Sequence, residues 1–431
     1  MRDLPFLDAP DREFPAEDRS MEVIHPVCAG LDVHKADVKV CLVWRDAHGA
    51  RQQEIRTYAT TTGALLELGD WLAQVQCPIV AMESTGVYWK PIFNLLEDQL
   101  TVWLVNPAHL KHVEGRKTDP RDAAWLAKLL EHGLVQPSFI PPREIRDLRE
   151  VTRYRRKLVQ ERASQVNRIQ KLLEDANIKL AAVASDVTGV SARAMLAALL
   201  EGTKTPAEMA ALAQTRLRSK QAELAAALEG RFRPHHARLL RLMLEHLDEL
   251  DLAIAECDTL VEELLRPFAA QVEALTTIPG VAQRAAEDLV AETGTDMSVF
   301  PTHKHFCSWA GLCPGDHESG GKRKSGKTRK GNRHLRVTLV QCAHAVGRSK
   351  KTYPGARYQR LAKRKGKQRA AVAVAHDLLE AAYFILRDGV VYQDLGPDYF
   401  DRLQREHLVK YHTKRLQELG FTVTPAETVA A

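Results

Sequence analysis

The 431-residue chain lacks the features of membrane-spanning, secreted and disulfide-rich proteins. It has no apolar run of the roughly 18 residues that a transmembrane helix needs. Its N-terminus has no basic region followed by an apolar one, as a secretory signal would. The seven cysteines form neither a CxxC pair nor a CxxC…HxxxH zinc pattern. We therefore expect no membrane partner, reduced thiols and a cytoplasmic protein.

Motifs of several common enzyme classes are also missing. No GxSxG segment joins a strand to a helix, so a Ser-His-Asp hydrolase fits poorly. Gly86 and Gly115 belong to no dinucleotide-binding fingerprint.

Positive charge is present in excess, but only in one part of the chain. The net charge is +6, yet residues 303–369 contain 19 Lys or Arg and only two acids, a net charge of +17. The rest of the chain carries 42 basic and 53 acidic residues. Such a basic segment predicts a surface that binds nucleic-acid phosphates. The candidate contacts are Lys322, Arg323, Lys324, Lys327, Arg329, Lys330, Arg333 and Arg336, with Arg153 and Arg156 from an earlier helix.

The order of apolar runs predicts an α/β N-terminal domain with a mixed, ribonuclease-H-like sheet. Strand-like runs are 27–33, 38–44, 78–83 and 101–105, and helical patterns are 63–75, 88–96 and 119–132. Asp46-Ala47-His48-Gly49 indicates a hairpin turn. The predicted division is a disordered extension at 1–25, the α/β domain at 26–136, a helical region at 143–267, a C-terminal domain at 272–390 and a peripheral tail at 391–431, with a proline-rich linker at 137–142.

The region 143–267 predicts two long helices. The first is rich in Arg, and its basic face could be solvated within a helix bundle or could lie on a nucleic-acid backbone. The second has apolar residues at alternating spacings of three and four, which is typical of a coiled-coil seam. That seam could form within the chain, against the Arg-rich helix, or between protomers. Its positions are Leu240, Met243, Leu247, Leu250, Ile254, Cys257, Val261 and Leu264.

The C-terminal domain is expected to be mostly helical. It opens with Thr277-Ile278-Pro279-Gly280-Val281 before a helical pattern at 283–293, which resembles a helix-hairpin-helix turn. In such a turn the backbone amides can approach a phosphate. A plain connection between two helices is the alternative.

Four acidic residues of the N-terminal domain are the strongest candidates for metal chemistry. Asp32 and Glu83 each end an apolar, strand-like run, and Asp119 and Asp122 lie three apart at the start of a helical pattern. Carboxylates at i and i+3 share one helix face. Together the four predict a site for Mg²⁺ or Mn²⁺ that acts on phosphate esters. Taken singly, Asp119 could be a helix cap, and Asp32 and Glu83 could be ordinary turn or capping acids.

A glycine-rich loop, 315–326, opens the most basic stretch and contains Ser319 and Ser325. It could simply bind phosphate, or one serine could be a nucleophile. A serine nucleophile needs activation, and nearby Lys and Arg would stabilise an attacked phosphate. Only His317 and Glu318 are nearby candidates for a general base.

Together these segments resemble the DEDD transposases of bacterial insertion sequences, the group described as bridge-RNA-guided recombinases. The resemblance spans 25–390. Its N-terminal motifs are Gly30-Leu31-Asp32-Val33-His34-Lys35, Met82-Glu83-Ser84-Thr85-Gly86-Val87-Tyr88, Val105-Asn106-Pro107 and Lys117-Thr118-Asp119-Pro120-Arg121-Asp122-Ala123. Its C-terminal motifs are Ile278-Pro279-Gly280-Val281, Trp309-Ala310-Gly311-Leu312 with Pro314, Glu318-Ser319-Gly320-Gly321 and Lys330-Gly331-Asn332-Arg333-His334-Leu335-Arg336.

The resemblance implies a RuvC-like N-terminal domain, a coiled-coil connection and a C-terminal transposase domain. It implies that Asp32, Glu83, Asp119 and Asp122 bind the metal and that Ser319 becomes joined to DNA. It also implies a structured guide RNA that pairs with donor and target DNA. The working form would be a homo-oligomer, a dimer or tetramer, whose composite sites combine the carboxylates of one protomer with the serine of another. Residues 1–25 and 180–235 lie outside the matched pattern.

Two rival functions remain open from the sequence. The first is a metal-dependent, structure-selective nuclease that uses the tetrad with water and leaves Ser319 idle. The second is a non-enzymatic nucleic-acid binder whose carboxylates are structural.

Overall fold

The computed structural model describes residues 22–83, 86–106, 122–315 and 317–423, without the side chains of 317–319, 323 and 324. Asp119 lies outside these residues, as do 1–21 of the predicted N-terminal extension. The chain divides into two compact units, 1–140 and 141–431. The boundary lies within the proline-rich segment 137–142 that the sequence analysis interpreted as a linker. Among the described helices, none has the length and apolar character needed to cross a membrane.

The first unit is built on a five-stranded mixed sheet. Its strands are β1 (Cys28–Val33), β2 (Asp37–Arg45), β3 (Arg51–Ala59), β4 (Ile79–Glu83) and β5 (Thr101–Val105), and its helices are α1 (Thr62–Gln74), α2 (Trp89–Leu96) and α3 (Asp122–Glu131). The strand order is β3-β2-β1-β4-β5. β2 runs antiparallel to both of its neighbours, whereas β1, β4 and β5 are parallel. This confirms the predicted mixed α/β domain.

The two faces of the sheet follow from the period of two along each strand. Leu31 and Met82 point to one face, where α1 and α2 pack. Cys28 and Ala81 point to the other, which α3 covers. Because β1 and β4 are buried on both faces, their sequences are almost wholly apolar until the final residues.

β3 was absent from the predicted strands, although the hairpin turn at 46–49 implied a partner for β2. Its sequence, Arg-Gln-Gln-Glu-Ile-Arg-Thr-Tyr-Ala, is largely polar, and no residue of it is fully buried. As an edge strand it needs few apolar side chains, and charged residues there oppose edge-to-edge pairing. A prediction based on hydrophobic runs therefore misses it.

Residues 22–25 were predicted to belong to a disordered extension, but they pack against the end of α3. The backbone amides of Ile24 and His25 donate to the carbonyl of Glu131 at 2.9 and 3.0 Å. His132 contacts the Glu22 carbonyl through Nδ1 at 3.0 Å. The polar composition gave no sign of these contacts, because they depend on the position of a helix 100 residues later.

The second unit is almost entirely helical. Its first part contains α4 (Arg143–Asp175), α5 (Leu180–Val183), α6 (Val190–Glu201), α7 (Pro206–Ala211), α8 (Gln221–Leu228) and α9 (Pro234–Leu265), with 3₁₀ turns at Thr215–Lys220 and Arg266–Phe268. Its second part contains α10 (Ala269–Thr276), α11 (Gln283–Thr293), α12 (His303–Trp309), β6 (His317–Ser319), β7 (Lys322–Ser325), α13 (Arg333–Val346), α14 (Tyr353–Lys365), α15 (Lys367–Asp388), α16 (Tyr399–Leu403) and α17 (Arg405–Glu418). The predicted helical region and C-terminal domain thus lie in one unit.

The long helices α4 and α9 pack side by side. Arg155 lies 3.4 Å from Asp258, whereas Gln165, further along α4, bonds to the carbonyl of Met243, earlier in α9. The helices are therefore antiparallel. Within the chain the predicted seam faces α4: Leu240, Leu247, Leu250 and Val261 are buried, and Met243, Ile254, Cys257 and Leu264 are half-buried. A supercoiled coiled coil, and any seam between protomers, stay predictions.

The helix-turn-helix at α10 and α11 has Gly280 in its turn at φ +89°. A Cβ at this glycine would lie 2.8 Å from Val346 Cβ and 2.9 Å from the Cys342 carbonyl. The glycine thus permits close packing of the turn on α13. Phosphate binding by this turn stays a prediction.

Candidate active site

Asp32 and Glu83 occupy adjacent positions at the carboxyl ends of β1 and β4. The register pairs Gly30 with Ala81, so Asp32 and Glu83, each two residues further, lie side by side on the same face. This is the face that carries Cys28, Ala81 and α3. The sequence prediction that both acids end neighbouring strands is therefore consistent with the sheet.

Gly30 lets α3 approach this face closely. A Cβ at Gly30 would lie 2.2 Å from the carbonyl oxygen of Ala123 and 2.4 Å from the amide of Ala127. Only a residue without a side chain permits this contact between backbones. Asp122, immediately before Ala123, is thereby held beside the carboxyl ends of β1 and β4, and its Oδ1 is shielded from solvent. The sheet and α3 thus gather Asp32, Glu83 and Asp122 at one edge.

His34 is a further polar neighbour that the sequence analysis did not assign. Its Nε2 lies 3.2 Å from Oδ2 of Asp32, and its side chain is 53% exposed against 18% for Asp32. The signal was present in the sequence, because a histidine two residues after a strand-end acid can lie on the same face. His34 can hold the orientation of the Asp32 carboxylate.

The three described carboxylates form an all-oxygen donor set of the kind that hard divalent cations prefer. Their ligand oxygens do not all converge to within 4.8 Å of one another; within the described part of the chain, groups that do so are Asp175 with His235 and His236, and His376 with Asp377 and Glu380. Mg²⁺ retains several waters and often needs only one or two direct carboxylates. The residues present therefore fit such an ion, with Asp119 outside the described residues.

The glycine-rich segment around Ser319 forms a two-stranded ribbon. β6 and β7 are antiparallel, with Ser319 paired to Lys322. Gly320 and Gly321 connect them at φ +59° and +72°. Two consecutive positive φ angles are typical of the tight hairpin turn that matches strand twist. The backbone of Ser319 thus lies immediately before the tip of the ribbon, where the sequence had indicated only a loop.

The base of the ribbon is closed by backbone contacts. The amide of Gly315 donates to the carbonyl of Lys327 at 2.8 Å, and Pro314 bridges to Thr328. Gly311 and Gly331 touch so closely that a Cβ at Gly331 would lie 2.3 Å from the Gly311 amide nitrogen. These contacts make the ribbon a projection from a packed base.

Ser325 lies at the far end of β7, away from the turn. Its Oγ accepts a hydrogen bond from the amide of Lys327 at 3.1 Å. A hydroxyl that accepts from the local backbone stabilises the end of the strand. This contact favours a structural role for Ser325 and leaves Ser319 as the preferred candidate, which stays a prediction.

Two candidate nucleic-acid contacts, Arg153 and Arg156, already form hydrogen bonds and ion pairs within the second unit. Arg153 forms a fork with the buried carboxylate of Glu292, both bonds at 2.8 Å. Arg156 pairs with Asp288 and donates to the carbonyl of His334 at 3.0 Å. These contacts join α4 to α11 and α13. They favour the alternative in which this Arg-rich helix belongs to a helix bundle. Binding of nucleic acid by the two arginines stays a prediction.

The remaining basic candidates lie on the ribbon, in the segment that follows it and at the start of α13, and the side chains of Arg323 and Lys324 lie outside the described residues. Lys322, Lys327, Arg329, Lys330 and Arg333 are exposed and Arg336 is half-buried. Arg333 and Arg336 border an open groove of about 450 Å³ between α13 and α15. Exposed Lys and Arg concentrated around one projection can bind successive phosphates. Nucleic-acid binding at these positions stays a prediction.

Comparisons with known proteins agree with this architecture. A family model named DEDD_Tnp_IS110 and described as "Transposase" matches residues 29–178, and a second, described as "Transposase IS116/IS110/IS902 family", matches residues 272–359. The chain belongs to the IS110 family of insertion-sequence transposases. The first match includes Asp32, Glu83, Asp119 and Asp122, and the second includes Ser319.

The individual relatives described below are 26% to 32% identical to this chain over the aligned residues. A protein named "Probable family 20 transposase" of Pseudomonas aeruginosa is 26% identical over 354 residues, covering 80% of this chain and 93% of its own. The "Insertion element IS900 uncharacterized 42 kDa protein" of Mycobacterium paratuberculosis is 28% identical over 404 residues, covering 85% and 97%. A "Pilin gene-inverting protein" of Moraxella bovis is 32% identical over 120 residues, covering 26% and 36%. The solved RuvC structure of Thermus thermophilus matches 26% of this chain and 99% of its own at 14% identity, with a TM-score of 0.20.

Proposed function

We propose that this IS110-family transposase is an RNA-guided DNA recombinase that cuts and rejoins strands through a covalent serine–DNA intermediate. One observation carries the proposal. The first unit gathers acidic side chains at the edge of its sheet, and the second presents a serine before the turn of a basic ribbon. A reaction that uses only the acidic side chains leaves the serine on the basic ribbon without a role, and a reaction that uses only the serine leaves the acidic side chains without one.

Ser319 would supply the nucleophile. Its Oγ would attack a scissile phosphorus, form a phosphoserine ester and lose its proton, while the bond to the leaving deoxyribose oxygen breaks and that oxygen gains a proton. A hydroxyl of the partner strand would then attack the ester and free the serine. Lys322 and its basic neighbours on the ribbon would offset the charge of the attacked phosphate.

Asp32, Glu83, Asp119 and Asp122 would hold Mg²⁺ or Mn²⁺. When bound, the ion would offset negative charge on the phosphate and on the leaving oxygen. Asp122 would be positioned for this by the contact of α3 with Gly30, and Asp32 by its neighbour His34. Replacing an acid by its amide would remove the negative charge with little change in shape.

Donor DNA, target DNA and a structured bridge RNA would be the partners, and the cytoplasm of a bacterium the place of action. The charge of +17 over residues 303–369 supports a polyanionic partner of substantial size. The name of the Moraxella bovis relative describes gene inversion, a process in which cut strands must be rejoined. Sequencing of RNA that co-purifies with the protein tests the guide: one structured RNA from the element should predominate, and random cellular RNA would contradict the proposal.

The serine is tested by trapping the adduct. Wild type, Ser319→Ala and Ser325→Ala are incubated with element DNA, co-purified RNA and Mg²⁺, denatured, and examined for DNA that migrates with protein. Wild type and Ser325→Ala should form the adduct, whereas Ser319→Ala should still bind DNA and form none. An undiminished adduct in Ser319→Ala would sink the assignment.

The alternative is a RuvC-like nuclease that uses water as nucleophile, and the carboxylates on the sheet are the observation in its favour. In that case Ser319→Ala would cleave as wild type and no adduct would form with any variant. If Asp119→Asn left cleavage unchanged, the catalytic role of the tetrad would itself be wrong.

A further inference from the structure

A cluster of four titratable side chains lies between α12 and α15, far along the chain from the acidic tetrad. We name it the α12–α15 cluster; it consists of His303, His376, Asp377 and Glu380. Nε2 of His303 lies 3.3 Å from Oε1 of Glu380. Ligand atoms of His376, Asp377 and Glu380 all lie within 4.8 Å of one another. The proposed recombination uses none of these residues.

The arrangement of elements matches how proteins build sites for transition metals. His376 and Glu380 are four residues apart on α15, so their side chains share one helix face. His303, in the first turn of α12, contacts Glu380. Two histidines and a carboxylate from two elements form a common donor set for Zn²⁺.

The distances also fit such an ion. Zn²⁺ binds imidazole nitrogen and carboxylate oxygen at roughly 2.0–2.2 Å, so neighbouring donors around a tetrahedral ion are about 3.3 Å apart. The separation of His303 Nε2 and Glu380 Oε1 has this value. The ligand atoms of His376 and Glu380 lie within 4.8 Å of each other, so rotation of these side chains would bring them to the spacing that the ion requires. All four side chains are between 19% and 37% exposed, so an ion can enter from solvent.

Charge supports a cation over a simple ion-pair network. Asp377 forms an ion pair with Arg357, whose Nη2 donates to Oδ1 at 3.2 Å. Glu380 contacts His303 and lies near His376, and among the contacts of the described chain it forms no ion pair with a Lys or Arg. The two carboxylates thus face one guanidinium, and a bound cation would offset the negative charge of the second carboxylate. Cys307 is nearby, with Sγ 3.9 Å from the His376 carbonyl, but burial raises the pKa of its thiol to about 12.

We propose that His303, His376 and Glu380 bind one Zn²⁺ or similar transition-metal ion, with Asp377 as the neighbouring carboxylate. This ion would link α12 to α15. The site is distinct from the Mg²⁺ tetrad in donor chemistry, because imidazole selects transition metals whereas carboxylate oxygen alone suits Mg²⁺. Its role is structural, since the bound ion stabilises the packing of the two helices.

The test is a Co²⁺ titration of the full-length protein, stripped of metal with chelator, in buffer with excess Mg²⁺ to saturate the tetrad. Tetrahedral Co²⁺ with nitrogen ligands absorbs visible light strongly, whereas octahedral all-oxygen sites absorb weakly. Wild type should bind one equivalent with this spectrum, and Zn²⁺ should displace it. His376→Ala and Glu380→Gln should weaken binding about a hundredfold or more.

Two control variants should bind Co²⁺ as wild type does. His246→Ala removes an exposed histidine that pairs with Glu249 at 3.4 Å and has no third ligand in the described chain. His235→Ala alters the cluster of Asp175, His235 and His236, where both ring nitrogens of His236 already have hydrogen bonds. If His235→Ala lost the Co²⁺ spectrum while Glu380→Gln kept it, the ion would be bound by the cluster of Asp175, His235 and His236, and the proposal would be wrong.

Thermal unfolding separates lost binding from lost folding. Zn²⁺ should raise the Tm of wild type and His246→Ala by several degrees but not that of Glu380→Gln, while all three unfold at similar temperatures in chelator. No tetrahedral spectrum in wild type, or an unchanged one in the His376→Ala/Glu380→Gln double variant, would leave only an ion-pair network and refute the metal site.

Discussion

At the scale of single residues, the buried carboxylate of Glu292 contacts three polar side chains, one of which, Asn332, lies next to the base of the ribbon. It is 2% exposed, accepts a fork from Arg153, lies 3.7 Å from Arg149 and also accepts from the amide of Asn332. Asn332 in turn caps α13, directly after the segment that closes the ribbon. Glu292 therefore positions the base of the ribbon from within the unit.

We expect Glu292→Gln to destabilise the protein by about 3 kcal/mol, because it leaves the guanidinium of Arg149, whose side chain is 16% exposed, without its counter-charge. Thermal or urea unfolding measures this. The matched control is Glu54→Gln, which breaks an ion pair with Arg56 between side chains that are 44% and 41% exposed. Such an exposed pair contributes about 0–1 kcal/mol, so equal effects of the two variants would contradict the assigned role.

The same residue predicts a pH dependence. Burial opposes ionisation of Glu292, but the hydrogen bonds and charges of Arg153, with Asn332 and Arg149, hold its pKa below the ordinary value. A glutamic acid whose pKa is lowered by folding stabilises the folded state at pH values above its unfolded pKa of about 4.3. This stabilisation is lost as the pH falls through the pKa of the folded state. The stability difference between wild type and Glu292→Gln should therefore be constant near neutral pH and shrink below about pH 4.

At the scale of elements, the contact of α3 with β1 decides whether Asp122 reaches the sheet edge. We expect Gly30→Ala to destabilise the protein by about 1–3 kcal/mol, because the added methyl overlaps rigid backbone atoms of Ala123 and Ala127. Mg²⁺-dependent DNA cleavage should fall further than stability alone explains, since α3 carries Asp122. Thermal unfolding and a cleavage assay measure the two effects.

Gly63→Ala is the control for that change. Gly63 lies in the first turn of α1, and a Cβ there would meet no atom within 4 Å. Alanine at such a site should be neutral or stabilising by about 0.4–1 kcal/mol. If Gly30→Ala behaved like Gly63→Ala in both assays, close packing of α3 on β1 would not be what positions Asp122.

At the scale of the whole molecule, the acidic residues and the serine lie in different compact units. If composite sites form between protomers, Asp119→Asn and Ser319→Ala chains should each be inactive alone but should form the serine–DNA adduct when mixed. Gel detection of the adduct measures this. A mixture of Asp119→Asn with Asp32→Asn, both altered in the first unit, should stay inactive. If the first mixture were equally inactive, each site would be built within one chain.

Much of the first unit could be predicted from the sequence because its signals are local. β1 and β4 are largely apolar, with Asp32 next to last in β1 and Glu83 last in β4, and α3 carries its apolar residues at helical spacing. β3 was missed because its exposed edge needs no apolar pattern. The ribbon around Ser319 was read as a loop, since its short strands are polar and only the two glycines indicated a turn.

The sequence by itself determined the family, the positions of the four acidic candidates and the concentration of positive charge, because each is carried by short segments whose residue types and spacing can be recognised without knowing the fold. Only the tertiary structure decided that Arg153 and Arg156 pair with carboxylates of α11, and that the seam of α9 faces α4. It alone brought His303 beside Glu380. Each of these contacts joins residues about 70 to 140 positions apart, and no local pattern encodes which distant side chain will lie opposite.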